Sequence, residues 1–488
     1  MDIVPRKEAN KAMTPKGTVD KEFPEGRSTA EGNPQETGGH RTQCRKESLF
    51  SGLERIREAA RRDRKVRFSA LLHHITVQLL DASYRKLNPK ASPGVDDETW
   101  SSYGNGLEEK LNDLHRRIHS GAYRAKPARR AYIPKPDGTM RPLGIAALED
   151  KIVQQAVVWI LEQIYEEDFL GFSYGFRRGR SQHMALDALY MAIKTQKVNW
   201  ILEVDIRKFF DNVSHEWMMK FLEHRMSDTR MLRLIAKWLK AGVSEDGEWS
   251  KTAVGTPQGA VISPLLANIY LHYVIDLWYR KWRKEQLRGS GIIVRYADDM
   301  VMGLQYLNEA EDLMTALKLR LKKFGLEINE EKSRLIEFGN FAIERRQARG
   351  KGKPETFEFL GFTHICGKSR KNGKPLIIRR TSKKRMQARL KVIRRQLLWH
   401  RHKPIAEQGS WLKQVLRGYF QYHAIPGNGA LLKSMRMCVG RAWLRALRRR
   451  GQKSKNLNWG FMKTLIGKWL PPVEILHPYP DARFSVKT

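Results

Sequence analysis

Between Ile292 and Gly303 an apolar run reaches two adjacent acids, Asp298 and Asp299, and resumes at once as Met300-Val301-Met302-Gly303. Strand, acidic turn, strand is the plain reading, and runs this apolar belong inside a sheet. A second apolar strand, from Trp200 to Ile206, carries Asp205 near its end. From Glu309 to Phe324, apolar residues fall at 310, 313, 314, 317, 321 and 324, with acids first and bases last. Gly325 stands at the C-terminal cap position, so this segment predicts an amphipathic helix. Strands mixed with helices of this size predict an α+β core. Taken alone, Asp298-Asp299 signifies no more than a hairpin turn, which Asp suits. Taken with Asp205, it signifies more. Three carboxylates buried together are prohibitive unless cations neutralise them, and oxygen-only ligands select Mg²⁺.

At 488 residues the chain is too long for one hydrophobic core, so two to four domains are expected. It has 90 Lys and Arg against 52 Asp and Glu, a formal net charge of +38. That balance argues for nucleic acid as partner and against a small-molecule enzyme. Between Cys366 and Lys455 there are 26 basic residues and one acid, Glu407, so +25 of the +38 lies in this stretch. Helical periodicity at 382–399, 410–423 and 430–450 makes it a separate, basic, helical module. Residues 1 to about 47 are polar with almost no aromatics and read as a disordered leader. Segment 49–87 is Arg-rich and helical in pattern. Segment 129–145 reads as a hairpin turning at Pro136-Asp137-Gly138-Thr139, and 149–165 as an apolar helix opened by Glu149 and Asp150. Cys44, Cys366 and Cys438 lie far apart, which excludes a disulfide framework and a Cys-x-x-Cys zinc site and fits a reducing cytosol. With no secretory signal and no run of 18 apolar residues, the expectation is a cytoplasmic protein with no membrane span.

Tyr296-Ala297-Asp298-Asp299 resembles the catalytic box of reverse transcriptases, and of those encoded by bacterial group II introns in particular. Six further segments resemble that family's blocks, in the family's order. AlaSerProGlyValAspAsp (91–97) is similar to the N-terminal extension block. IleProLysProAspGlyThrMetArgProLeuGlyIle (133–145) resembles the fingers hairpin, and GlyPheSerTyrGlyPheArgArgGlyArgSer (171–181) the block after it. GluValAspIleArgLysPhePheAsp (203–211) resembles the first palm strand, and GlyThrProGlnGlyAlaValIleSerProLeuLeuAlaAsn (255–268) the loop and helix beside the nucleotide. PheGluPheLeuGlyPhe (357–362) resembles the primer grip. Arg178 and Met184 depart from the family, which often has Pro and Asp there; both lie outside the metal site.

The resemblance implies a right-hand polymerase, with fingers at 48–198 and palm at 199–378. An all-α basic thumb, or maturase X domain, would follow at 379–455, then a C-terminal extension at 456–488. It implies that Asp205, Asp298 and Asp299 are catalytic and, with Ile206, hold two Mg²⁺. Lys135 and Arg141 would hold the incoming triphosphate, with backbone N–H groups of Lys208 and Phe209 assisting. Gln258 would contact the dNTP, and Phe210 would exclude a 2′-hydroxyl. Leu360 and Gly361 would bring backbone close to the primer end. Asp211 reads instead as a turn acid before Asn212 and Ser214, which can cap the next helix. The thumb match rests on TrpLeuLysGlnValLeuArgGlyTyrPheGlnTyrHisAlaIlePro (411–426). Its aromatics at 411, 419, 420 and 422 fit either an RNA-stacking surface or a helix core, and His423 reads as structural. The implied function is RNA-directed DNA synthesis from a DNA primer and dNTPs, with binding of a group II intron RNA to assist splicing and retrohoming. Many relatives end in a zinc-bearing nuclease; without paired cysteines, this chain resembles the endonuclease-lacking branch. Two alternatives stand beside this reading: a reverse transcriptase without an intron, serving repair or phage defence, and a non-catalytic RNA-splicing chaperone.

Overall fold

The computed structural model describes residues 3–5, 39–134, 140–245, 248–250, 254–256, 258–369 and 372–486; for 3–5, 39–50, 249 and 484–486 it describes backbone only. After β1 (Ile3–Pro5), helices α1 (Gly39–Arg62), α2 (Val77–Lys86), α3 (Trp100–Gly104) and α4 (Leu107–His119) lead to the hairpin β2 (Ala128–Pro134) and β3 (Met140–Ile145). Thr76 and Thr99 cap α2 and α3, each hydroxyl accepting from a first-turn N–H. The buried helices α5 (Leu148–Asp168) and α6 (Gln182–Thr195) come next. Then follow β4 (Trp200–Val204), α7 (Phe209–Asn212), α8 (His215–Glu223), α9 (Thr229–Lys240), β5 (Val243–Glu245) and β6 (Glu248–Ser250). Helix α10 (Ser263–Leu271) passes through one π turn, His272–Asp276, into α11 (Leu277–Gln286). The chain continues through β7 (Gly291–Tyr296), β8 (Asp299–Leu304), α12 (Leu307–Lys323), β9 (Arg334–Glu337) and α13 (Ala342–Ala348). Strands β10 (Phe357–Phe359), β11 (Phe362–Lys368) and β12 (Pro375–Thr381) form a sheet of their own. The rest is helical: α14 (Lys383–Trp399), α15 (Ile405–His423), α16 (Gly429–Arg448), α17 (Trp459–Trp469) and α18 (Pro480–Arg483). A last strand, β13 (Phe484–Val486), pairs antiparallel with β1.

The sheet that positions the acids is antiparallel, in the order β7-β8-β4-β9. Its pleat sends Leu202, Val204, Ile293, Met300 and Met302 to one face, where they join a core with α5, α10 and α12. Ile201, Val294, Val301 and Ile336 go to the other face and pack with α6, β10 and β11. Both faces are covered, which is why these strands read as continuous apolar runs. A second sheet, ordered β3-β2-β5-β6, carries the 128–145 hairpin. Helices α14 to α17 close over a third core, which includes Leu397, Leu416, Trp443 and Leu447.

The α+β expectation matches this mixed architecture, and the predicted helices correspond to α12, α14, α15 and α16 within a few residues. Gly325, at φ +72°, ends α12; the Leu326 N–H donates to the Leu321 carbonyl at 3.0 Å. The acids that open α5 do more than face its N-terminus: Asp150 is buried and accepts from the Tyr123 hydroxyl, and Glu149 pairs with Arg117 at 2.7 Å. The leader boundary needs correction. Helix α1 starts at Gly39, inside the span read as a leader to 47, and β1 is tied to the far end of the chain. Lys135 and the turn 136–139 lie outside the described residues. Among the described residues no helix is long and apolar enough to cross a membrane.

Candidate active site

Strand register brings the acids together. Tyr296 pairs with Asp299 across a two-residue turn, Ala297-Asp298, and Val204 pairs with Met300. One step further along that ladder, Asp205 comes opposite Asp299, on the face that also carries Glu203. Asp298 and Asp299 are half-buried. Burial raises the Asp298 pKa and the Asp205 charge adds to it, while Arg141 and Arg295 pull it back. Burial, then the charges of Asp298, Glu203 and Asp205, pushes Asp299 up to about 7. The Asp205 carboxylate accepts from Asn329 Nδ2 at 3.0 Å and lies 3.5 Å from Lys332 Nζ. Among the described residues no three His, Cys, Asp or Glu side chains converge closely enough to enclose a metal ion. The donor set nonetheless fits Mg²⁺: its ligands are carboxylate oxygens, and their mutual repulsion is what a hard divalent cation relieves. Ile206, included with them from sequence, has a buried side chain and bridges Ile328.

The turn is held from behind by groups the sequence reading did not single out. Arg295 is fully buried and bonds both oxygens of buried Asp276, at 2.8 and 2.5 Å. Its Nη1 donates to Asn268 Oδ1 at 3.0 Å and to the Ala297 carbonyl at 3.1 Å. Asn268 in turn donates to the Gly175 carbonyl at 2.6 Å. Ala297 has φ +56°, a conformation that favours glycine, and the guanidinium on its carbonyl helps to hold it there. Gly175 lies against the same turn; a Cβ there would come within 2.3 Å of the Ala297 nitrogen. The available signal was a charged residue, Arg295, inside an otherwise apolar strand.

Shortly after Asp205 in the chain, Lys208, Phe210 and Asp211 line one cleft of about 370 Å³ together with Gln258, Arg130 and Gly144. Backbone bonds join its walls: the Thr256 N–H donates to the Phe210 carbonyl at 2.8 Å, and the Gly144 N–H to the Gln258 carbonyl at 2.6 Å. Gly255 and Gly259 have φ of +95° and +115°, and a Cβ at either would press within 2.9 Å of a backbone carbonyl. Lys208 sits at φ +44° before α7. Phe209 is fully buried in the core, whereas Phe210 packs half-buried against that core and lines the cleft. Arg141 is exposed on β3, close enough for its charge to act on Asp298. As read from sequence, Ser214 caps the next helix by accepting from the Trp217 N–H.

Leu360 and Gly361 form the two-residue turn between β10 and β11, at φ +48° and +81°. Positive φ at both central residues is the type I′ requirement. Tyr422 Oη donates to the Leu360 carbonyl at 2.7 Å, and the Ser382 N–H donates to the Gly361 carbonyl at 3.0 Å. A Cβ on Gly361 would meet the Arg385 guanidinium at 2.7 Å. Burial pushes the Tyr422 hydroxyl up to about 12; the Arg385 charge opposes that, and Tyr296 and Asp299 add to it. Helices α14 and α15 thus reach the acids through Arg385 and Tyr422, neither of which the sequence reading gave a role at the site. Trp411, Tyr419 and Phe420 pack in the core of the helical module, which favours the core reading for them. Buried His423 is pushed down to about 4 by desolvation and contacts Thr381 Oγ1 at 3.3 Å.

Residues 133–364 match the family described as reverse transcriptase (RNA-dependent DNA polymerase). Protein YkfC of Escherichia coli (strain K12) is 36% identical over 331 residues, covering 63% of this chain and 86% of that protein. Group II intron-encoded protein LtrA of Lactococcus lactis subsp. cremoris is 42% identical over 183 residues, or 37% of this chain and 30% of that one. The putative COX1/OXI3 intron 1 protein of Saccharomyces cerevisiae is 30% identical over 308 residues, or 53% and 36%. The chain therefore spans about a third of these two intron proteins. An acidic turn in an antiparallel sheet, inside a segment matched over 232 positions, makes this chain a member of the reverse transcriptase family. Within that family it belongs with the group II intron-encoded reverse transcriptases and maturases.

Proposed function

We propose that the chain is an RNA-directed DNA polymerase that also binds a group II intron RNA and assists its splicing and retrohoming. The observation that carries this reading is the strand register that brings Asp205 to the Asp298-Asp299 turn, where each charge acts on its neighbours. In the proposed hand, 48–198 are fingers, 199–378 palm, 379–455 thumb or maturase X domain, and 456–488 an extension. The primer 3′-hydroxyl attacks the α-phosphate of the dNTP in line, and pyrophosphate leaves. Asp205, Asp298 and Asp299, with Ile206, are the residues that would hold two Mg²⁺. When bound, these ions lower the pKa of the attacking hydroxyl and neutralise charge on the leaving pyrophosphate. Arg141 faces the triphosphate, a role the family resemblance also gives to Lys135, and the left-handed bend at Lys208 offers the N–H groups of Lys208 and Phe209 to its oxygens. The Phe210 ring lies under the sugar and leaves no room for a 2′-hydroxyl; Gln258 orients the nucleotide. Leu360 and Gly361, backed by Tyr422 and Arg385, hold the primer end. The basic helical module takes the RNA.

Primer extension on an RNA template with Mg²⁺ and dNTPs tests the enzyme, and capture of the cognate intron RNA tests the maturase role. Asp298→Ala is expected to abolish extension and leave RNA affinity within a few-fold, because most positive charge lies after residue 366. A variant that extends at nearly the wild-type rate removes the metal assignment. RNA capture without extension by the wild type leaves the splicing chaperone.

A further inference from the structure

Behind the acidic hairpin lies a second cavity of about 470 Å³, bounded by α6, α11 and the outer edge of β7. Five cations line it, Arg64, Arg180, Arg280, Arg283 and Lys284, and no carboxylate does. Among the described residues, neither an ion pair nor a side-chain hydrogen bond engages Arg64, Arg280, Arg283 or Lys284, although the Arg64 charge acts on Asp168. The one acid of α11, Glu285, is directed to Lys281 at 3.8 Å. Arg180 is half-buried, donating to the Gly171 carbonyl at 2.9 Å with its guanidinium 5.1 Å from the Tyr174 ring centre. Nearby Glu166 is paired with Arg177 at 2.9 Å. A guanidinium withdrawn from water with no carboxylate of its own is costly unless an anion is supplied.

The inner wall is apolar, built from Phe172, Ala188, Ala192, Ile292, Ile293 and Val294. Strand β7 is the edge of its sheet, and the outward backbone groups of Arg295 are taken by the Phe172 carbonyl and the Tyr174 N–H. By alternation, the next outward groups are those of Ile293 and Gly291. Two residues of open edge are too few to add a peptide strand, which argues against an acidic peptide as occupant. The volume lies in the range of small-ligand sites and admits one unstacked nucleotide. Five cations exceed what one phosphodiester needs, so the charge continues along the rim.

We propose that this cavity is a second RNA-binding site, which seats one nucleotide of a single-stranded segment, base against the apolar wall and flanking phosphates on Arg280, Arg283, Lys284 and Arg180. It rests on the reading above that the chain binds RNA, and gives that RNA a site outside the catalytic cleft. Splayed bases set on apolar or aromatic surfaces are how single-stranded RNA is held.

The test uses the full chain and a fluorescent single-stranded RNA oligonucleotide carrying 4-thiouridine. Anisotropy compares wild type, Arg280→Ala/Arg283→Ala, and a control with the same charge loss on exposed positions of α12, Lys322→Ala/Lys323→Ala. The cavity pair is expected to weaken binding about tenfold more than the control and to flatten the salt slope by about 1.4, at roughly 0.7 per phosphate lost. Crosslinks are expected in peptides containing Phe172 or residues 280–284. Extension of a pre-annealed primer–template at saturating concentration is expected to be unchanged. Lys284→Glu, at an exposed position, repeats the comparison if the pair fails to fold. A cavity pair indistinguishable from the control overturns the proposal. So does protection of the crosslink by a nucleoside monophosphate at equal phosphate concentration, which would mark a free-nucleotide site, or displacement by polyglutamate but not by unlabelled RNA. Cavity-dependent binding by a wild type that extends no primer leaves this site standing and removes only the polymerase reading.

Discussion

Asp299 is the residue where burial and like charge meet most strongly, and its ordinary value near 3.8 becomes about 7. The folded chain therefore holds that proton more tightly than the unfolded chain does, so folded-state stability falls as pH rises from about 4 to about 7. Added Mg²⁺ competes with the proton for the same oxygens. The melting temperature should accordingly rise more on adding Mg²⁺ at pH 7.5 than at pH 5.5, and Asp299→Asn should erase that difference. Equal shifts at both pH values would separate Asp299 from metal binding. Phe210 is the second test at this scale. Because its half-buried ring lines the cleft and only its other side packs on the core beside Phe209, Phe210→Ala should admit ribonucleotides at a modest cost in stability, with the chain still folded. Unchanged discrimination between dNTP and rNTP would return Phe210 to packing. Asp205, Asp298, Asp299 and Phe210 could be picked out because each sits in a short segment that resembles a family block, and the structure sets Asp205 beside the acidic turn and Phe210 on the cleft. Asp276, Asn268 and Gly175 were not, because they meet the Arg295–Ala297 turn across 19 to 122 residues of chain (276 to 295 and 175 to 297) and acquire a role only through tertiary contact.

At the scale of elements, periodicity and caps were readable and close approaches were not. Helix α12 announced its apolar stripe and its Gly325 cap, whereas the π turn before α11 leaves no pattern in the apolar run it interrupts. The 360–361 turn shows the same division. Its glycine was visible, but the guanidinium of Arg385 over it and the hydroxyl of Tyr422 beneath it come from α14 and α15. Gly361→Ala combines a strained φ of +81° with a methyl group 2.7 Å from that guanidinium. It should raise the KM for primer–template several-fold, with a smaller effect on dNTP use, in steady-state extension assays. An equal loss in both would make the turn a general structural element.

For the whole molecule the deciding quantity is where the charge lies. A net +25 within residues 366–455 surrounds a helical core, and the acids lie in a sheet with apolar cover on both faces. On the proposed function, association with RNA and chemistry on the nucleotide fall on different surfaces, and they should respond differently to salt. Neutralising phosphates releases condensed counterions, so affinity falls as a power of salt concentration, with an exponent near 0.9 per phosphate on a duplex. If about six phosphates of a folded RNA are engaged, affinity should drop about 10³-fold between 50 and 200 mM salt. The KM for dNTP, measured on a saturated primer–template over the same range, should move far less, since its few ionic contacts lie in one cleft. Parallel titrations by anisotropy and by extension rate make the comparison. RNA affinity that stays flat across that range would mean the basic helices face something other than a phosphate backbone, whatever the acidic turn proves able to catalyse.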